Sequence, residues 1–189
     1  VSLKVDTSLT NEILTAHVRD GFDVSISRQL NPQGNPLRGA PHALVRPLAY
    51  LTPAFDVPIV PIIVKTVEPS PATLTGARCL ALGRALTRIC ASSTKRIAIY
   101  GSGGMSHDPL GPRSNWVDEP LDLWMLDQLA NGTPDRLSSL FSFSSEATDA
   151  GTGELRTWLP VAGAMDELCA GKRAVKIDRA TVVPSDPPS

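Results

Sequence analysis

The chain has 189 residues, 42% of them hydrophobic and 20% charged, and a formal net charge of −1. One substantial core fits that length, and the near-neutral balance gives no electrostatic case for nucleic acid or an anionic membrane. No apolar run approaches the ~20 residues of a bilayer-spanning helix. Val1-Ser2-Leu3-Lys4-Val5-Asp6 lacks the long apolar stretch of a signal peptide, and the expected setting is cytoplasmic. Val1 stands where an initiator methionine is usual, so the chain reads as processed, trimmed or truncated. Cys79, Cys90 and Cys169 are an odd set with no Cys-x-x-Cys spacing, which argues against a disulfide framework and a structural zinc site.

Leu9, Ile13 and His17 recur at four-residue spacing, with Leu14 and Val18 beside them, and predict a helix stopped by Gly21. His17 lies on or beside its apolar face and reads as a packed or surface histidine. Phe22, Val24 and Ile26 alternate with polar residues as a half-buried strand does. Residues 31–47 read as a loop, opened by Asn31-Pro32-Gln33-Gly34-Asn35-Pro36 and carrying His42. Residues 57–64 are almost wholly apolar and predict a strand covered on both faces, with Pro61 at an edge or bulge. Pro69-Ser70-Pro71 is the expected start of the next helix, with Ser70 as N-cap. That helix turns Leu74, Ala77, Ala81, Ala85, Leu86 and Ile89 inward, and Arg78, Arg84 and Arg88 mostly outward.

Arg96-Ile97-Ala98-Ile99 reads as a buried strand, and Tyr100-Gly101-Ser102-Gly103-Gly104-Met105-Ser106-His107-Asp108-Pro109 follows it. A histidine on a tight loop after a buried strand is where α/β proteins place chemistry. A solvent-exposed turn that happens to hold a histidine is the plain alternative. Asp118 and Pro120 start a helix with Leu121, Trp124, Met125 and Leu129 on one face and Gly132 at its end. Thr133-Pro134 caps a shorter one through Leu137, Leu140 and Phe141. The glycines of Ala150-Gly151-Thr152-Gly153-Glu154-Leu155-Arg156-Thr157-Trp158 mark a close-packed turn, and Pro160 kinks or restarts the helix that Glu154 enters. The alternation predicts an α/β fold, a layered αβα domain with a mostly parallel or mixed central sheet. Residues 1–183 are expected to form this single domain, incomplete at its N-terminus, with 184–189 as a disordered tail.

The polar groups on these glycine- and proline-bounded segments are His42, His107 and Glu154. In order, four segments resemble the class III extradiol ring-cleavage dioxygenases, of the protocatechuate 4,5-dioxygenase β-subunit and 2,3-dihydroxyphenylpropionate types. Pro41-His42-Ala43-Leu44-Val45-Arg46-Pro47-Leu48 resembles that family's Asp-His-Gly…Pro-Leu loop. Val57-Pro58-Ile59-Val60-Pro61-Ile62 resembles its apolar strand, and Ser102-Gly103-Gly104-Met105-Ser106-His107 its Ser-Gly-Gly-Leu-Ser-His loop. Residues 151–158, followed by Gly163-Ala164, resemble its Gly-x-Gly-x-Glu…Trp…Gly-Ala segment.

The resemblance implies non-haem Fe(II) held by a 2-His-1-carboxylate triad, with Glu154 as the carboxylate and positions left open for a catecholate and O₂. It implies that His107 is the acid/base group and that His42 orients substrate or donates a proton later. Ser106 and Gly104 line the substrate. The family's two iron-binding histidines lie upstream of the matching stretch, so a protein partner or an N-terminal segment is expected to supply them, in an oligomer. The family's Asp and Gly flanking the first loop histidine are Pro41 and Ala43 here, a departure that leaves the aim of His42 open. A non-catalytic subunit of such an enzyme, or a different metal-dependent or hydrolytic enzyme on the same fold, are the other readings. A Ser-His-Asp hydrolase is not supported: Ser106 and His107 are adjacent, and no Gly-x-Ser-x-Gly elbow is present.

Overall fold

A computed structural model describes residues 3–28, 35, 37–66, 73–109 and 111–168. The described α-helices are α1 (Thr7–Arg19), α2 (His42–Leu51), α3 (Gly76–Ala91), α4 (Glu119–Ala130) and α5 (Trp158–Leu168). Two 3₁₀ segments, Pro134–Ser139 and Ala150–Thr157, join α4 to α5.

Local chemistry sets most of these boundaries. Asp6 caps α1, its Oδ1 accepting from Leu9 N at 3.0 Å. Gly21, at φ +78°, ends α1 by donating to Val18 O, while Phe22 N donates to His17 O. This C-terminal motif accounts for His17. Its ring is 2% exposed, meets Phe22 edge-on at 5.4 Å, and donates from Nδ1 to Ile13 O at 2.8 Å. Gly132, at φ +67°, closes α4 in the same way as Gly21 closes α1.

Two expectations change. His42 was expected on a loop; it opens α2, which runs on to Leu51 with Pro47 inside it. The chain after Pro41 is rich in residues that tolerate a helix, and Pro41 supplies the extended backbone (ψ 141°) that precedes one. Helix α3 begins at Gly76, with Thr75 as its cap, accepting from Arg78 N. Ser70, the expected cap, lies outside the described residues, as does the 184–189 tail. The buried face overlaps the expected one only in part. Cys79, Leu80, Leu82 and Gly83 point inward with Ala85 and Leu86, and Ala77 is exposed.

The main core joins α3, α4, α5 and both 3₁₀ segments through Cys79, Leu80, Met125, Leu137, Leu140, Phe141, Leu155 and Leu159. Helices α3 and α5 meet backbone to backbone. A Cβ on Gly83 would collide with the Pro160 backbone, and one on Gly163 with the Leu80 backbone. Pro160 sits in the first turn of α5, where its missing N–H has no intrahelical partner to lose, so the helix restarts there rather than kinking.

A second cluster holds Leu9, Ile13 and Leu86, with Val60, Ile89, Ile97 and Ile99 packed on it. The only sheet-like pairing among the described residues is a parallel bridge between Val5 and Ile59. The expected strands at 22–26 and 96–100 carry no ladder among those residues, and within 57–64 only Ile59 is bridged. Residues 96–100 nevertheless alternate. Ile97 and Ile99 are half-buried against α1 and α3, and Arg96, Ala98 and Tyr100 are exposed. No described helix is long and apolar enough to cross a membrane.

Candidate active site

The loop 101–108 lies directly on the Ala150–Thr157 segment, and glycine makes the approach possible. A Cβ on Gly103 would come 2.8 Å from Glu154 O and 2.6 Å from Thr157 Oγ1. Two hydrogen bonds lock the pair. Trp158 Nε1 donates to Gly103 O at 3.0 Å, and Gly104 N donates to Glu154 Oε2 at 2.6 Å. The second bond fixes the half-buried carboxylate and leaves Oε1 without a hydrogen bond among the described residues.

His107 sits between two glycines, one from each segment. A Cβ on Gly104 would lie 2.7 Å from His107 Cε1 and 3.5 Å from Glu154 Oε2, so imidazole and carboxylate flank the same residue. A Cβ on Gly151 would lie 2.5 Å from His107 Nε2. The imidazole therefore occupies space that only paired glycines leave open.

His107 Nδ1 is 2.6 Å from Met105 O. A carbonyl oxygen can only accept, so Nδ1 carries the proton and Nε2 of the neutral ring carries the lone pair. Nε2 is the atom that can take a proton, and it is the one on the Gly151 side. The histidine is thus held in one tautomer by the backbone two residues before it.

The Ala150–Thr157 segment is unusual in itself. Eight residues is long for a 3₁₀ run, and Ala150 enters it at φ +57° without being glycine. Arg156 anchors it: its guanidinium lies 3.8 Å over the Phe141 ring and donates to Leu74 O and Thr66 O. Thr152 Oγ1 and Asp149 Oδ1 are buried beside Gly151 with no hydrogen-bond partner among the described residues.

Of the sequence-derived residues, the fold brings together His107, Glu154 and Gly104. Ser106 is 4% exposed, and its hydroxyl both donates to Asp122 Oδ2 and accepts from Asp118 N. Both functions are spent inside the protein. His42 is exposed at the start of α2, and no hydrogen bond joins it to His107 or Glu154 among the described residues. No group of three His, Cys, Asp or Glu side chains comes together to hold a metal among those residues. They do not by themselves make the expected triad; Glu154 fits it as one anionic ligand. Asp122 was not singled out from sequence. The available signal was a second acid four residues after the cap Asp118.

Residues 1–182 match the family described as the catalytic LigB subunit of aromatic ring-opening dioxygenase. The 2,3-dihydroxyphenylpropionate/2,3-dihydroxicinnamic acid 1,2-dioxygenase of Mycobacterium sp. (strain MCS) is 32% identical over 149 residues, 78% of this chain and 43% of that relative. The gallate dioxygenase of Pseudomonas putida is 32% identical over 166 residues, 84% of this chain and 45% of that relative. The corresponding 1,2-dioxygenase of Azotobacter vinelandii is 36% identical over 124 residues, 65% of this chain and 36% of that relative. The chain spans less than half the length of these curated relatives.

Proposed function

Because the chain belongs to the LigB family of aromatic ring-opening dioxygenases, we propose that it forms part of an extradiol enzyme that opens a catechol-type ring with O₂. The observation that carries this reading is the paired placement of His107 and Glu154 across Gly104, with His107 held in the Nδ1–H tautomer. One relative is named for 2,3-dihydroxyphenylpropionate and another for gallate, which supports a ring with adjacent hydroxyls; an aminohydroxylated ring belongs to the same proposed class.

In this reading His107 Nε2 takes the proton of a catechol hydroxyl and later returns it to oxygen on the opening ring. With Nδ1–H fixed by Met105 O, Nε2 is the nitrogen available for both transfers. Glu154 is the carboxylate ligand of Fe(II), held by Gly104 N so that Oε1 is presented. Fe(II), when bound, supplies a centre for catecholate and O₂ together. The two histidine ligands come from outside the described residues, from a partner or a further segment, within an oligomer. Gly104 lines the substrate, and His42 orients it or donates a late proton once α2 is placed against the complete site.

The same reading keeps a layered α/β domain, with 57–64 and 96–100 as strands. The alternation of Ile97 and Ile99 against Ala98 and Tyr100 supports it.

The test is an aerobic assay of the native enzyme with a panel of catechols. The reading predicts the yellow semialdehyde of extradiol cleavage. A colourless intradiol diacid, or no ring opening across the panel, contradicts it.

A further inference from the structure

Asp122 stands in the first turn of α4, facing the histidine loop. Its two oxygens are divided over one residue: Oδ1 accepts from Ser106 N at 2.9 Å, and Oδ2 accepts from Ser106 Oγ at 2.8 Å. Ser106 Oγ in turn accepts from Asp118 N at 2.7 Å, and Asp118 caps α4 through Leu121 N at 3.1 Å. Both ends of the clamp are therefore fixed to the start of one helix.

Ser106 N–H belongs to the same peptide unit as Met105 C=O, and Met105 O is the acceptor of His107 Nδ1–H at 2.6 Å. A trans peptide is planar, so N–H and C=O point in opposite directions along one plane. Pinning the N–H to a carboxylate pins the C=O toward the imidazole. A carboxylate accepting from the N–H also polarises the amide, which makes its oxygen a better acceptor.

We propose that Asp122 is the positioning residue for His107, acting through the Met105–Ser106 peptide to hold the imidazole in its Nδ1–H tautomer. The relay runs carboxylate, peptide N–H, peptide C=O, imidazole N–H. It leaves Nε2 as the basic nitrogen. An acid in the first turn of a helix is favoured by the helix dipole in any case. That effect needs no bond to Ser106, whereas here both oxygens are spent on Ser106. The inference rests on the reading of His107 as the acid/base group.

The experiment reads the tautomer directly and does not depend on turnover. The full chain, metal-free and ¹⁵N-labelled on histidine, is examined by long-range ¹H–¹⁵N correlation in four forms: wild type, Asp122→Ala, Asp122→Asn and Gln128→Ala. Gln128 is buried at the far end of α4 and bonds to Thr133 and Arg136, with no hydrogen bond to the loop among the described residues, so its variant controls for a weakened helix. Wild type and Gln128→Ala should show His107 protonated at Nδ1. Asp122→Ala should show averaged tautomers. Asp122→Asn keeps an oxygen for Ser106 N, so it should keep the tautomer and report even if the alanine variant does not fold.

In the native enzyme Asp122→Ala should lower kcat by ~10–100-fold with KM for a catechol unchanged, a smaller loss than the ~10²–10⁴-fold of removing an acid/base group outright. An unchanged His107 spectrum in Asp122→Ala overturns the proposal, and so does the loss of the tautomer in Gln128→Ala. If His107→Ala leaves ring cleavage intact, the acid/base reading fails separately, and the spectra still decide whether Asp122 sets the tautomer.

Discussion

His107 is defined by what surrounds it on three sides. Met105 O takes its Nδ1 proton, Gly104 leaves room on one edge and Gly151 on the other. Gly151 is the sharpest test of that packing. A methyl there would meet Nε2 at 2.5 Å and Cε1 at 2.6 Å, so the ring has to swing away. Gly151→Ala should therefore lower turnover by ~10²-fold, the scale of a 1 Å misplacement at a reacting centre. It should leave the metal content of the native enzyme in place, because the Gly104–Glu154 bond is not touched. Steady-state kinetics with iron quantification on the same samples check both. The close packing of the two segments was readable in sequence because glycine spacing marks close backbone approach. The Ser106–Asp122 clamp was not, because its partners are 16 residues apart and nothing local in either requires the other. The family resemblance implies Ser106 as a substrate contact. Its neighbours give the hydroxyl two partners within the protein.

Among the elements, α3 and α5 carry the site. Helix α5 continues the segment that holds Glu154, and α3 holds α5 through the Gly83–Pro160 and Leu80–Gly163 contacts. Gly83→Ala forces the helix backbones apart and should cost about 1–3 kcal/mol, the usual range for overpacking. Thermal unfolding measures it, and Cys79 gives a second readout. Its thiol is fully buried, and desolvation pushes its pKa up to about 12. Alkylation at neutral pH therefore reports opening of the α3 core, and Gly83→Ala should accelerate it. An unchanged melting temperature together with unchanged alkylation would contradict the packing argument. The helices with strong stop signals, α1 and α4, were legible to within a residue or so at their glycine ends. Helix α2 was not. Turn-forming residues before it and Pro47 within it outweighed a short apolar pattern. The α3 start was misplaced because Pro69-Ser70-Pro71 is a good local cap signal, while Thr75 is the residue that bonds Arg78 N.

The whole molecule places one carboxylate and one histidine together and leaves the metal site incomplete among the described residues. The 189-residue chain on its own should accordingly bind Fe(II) weakly by anaerobic calorimetry. Tight stoichiometric binding would mean that the ligands lie elsewhere in the chain. The α/β layering was inferred from apolar runs, which carry no information on which strands pair. The described pairing is a single bridge, so the sheet remains part of the proposal. The proposed function divides the labour, with His107 moving protons and Glu154 holding iron. The direct measurement is iron content and extradiol turnover, determined together, for His107→Ala and Glu154→Ala in the native enzyme. His107→Ala should keep its iron and lose ~10²–10⁴-fold in turnover, while Glu154→Ala should lose the iron itself. Iron lost from His107→Ala and retained by Glu154→Ala would contradict that division.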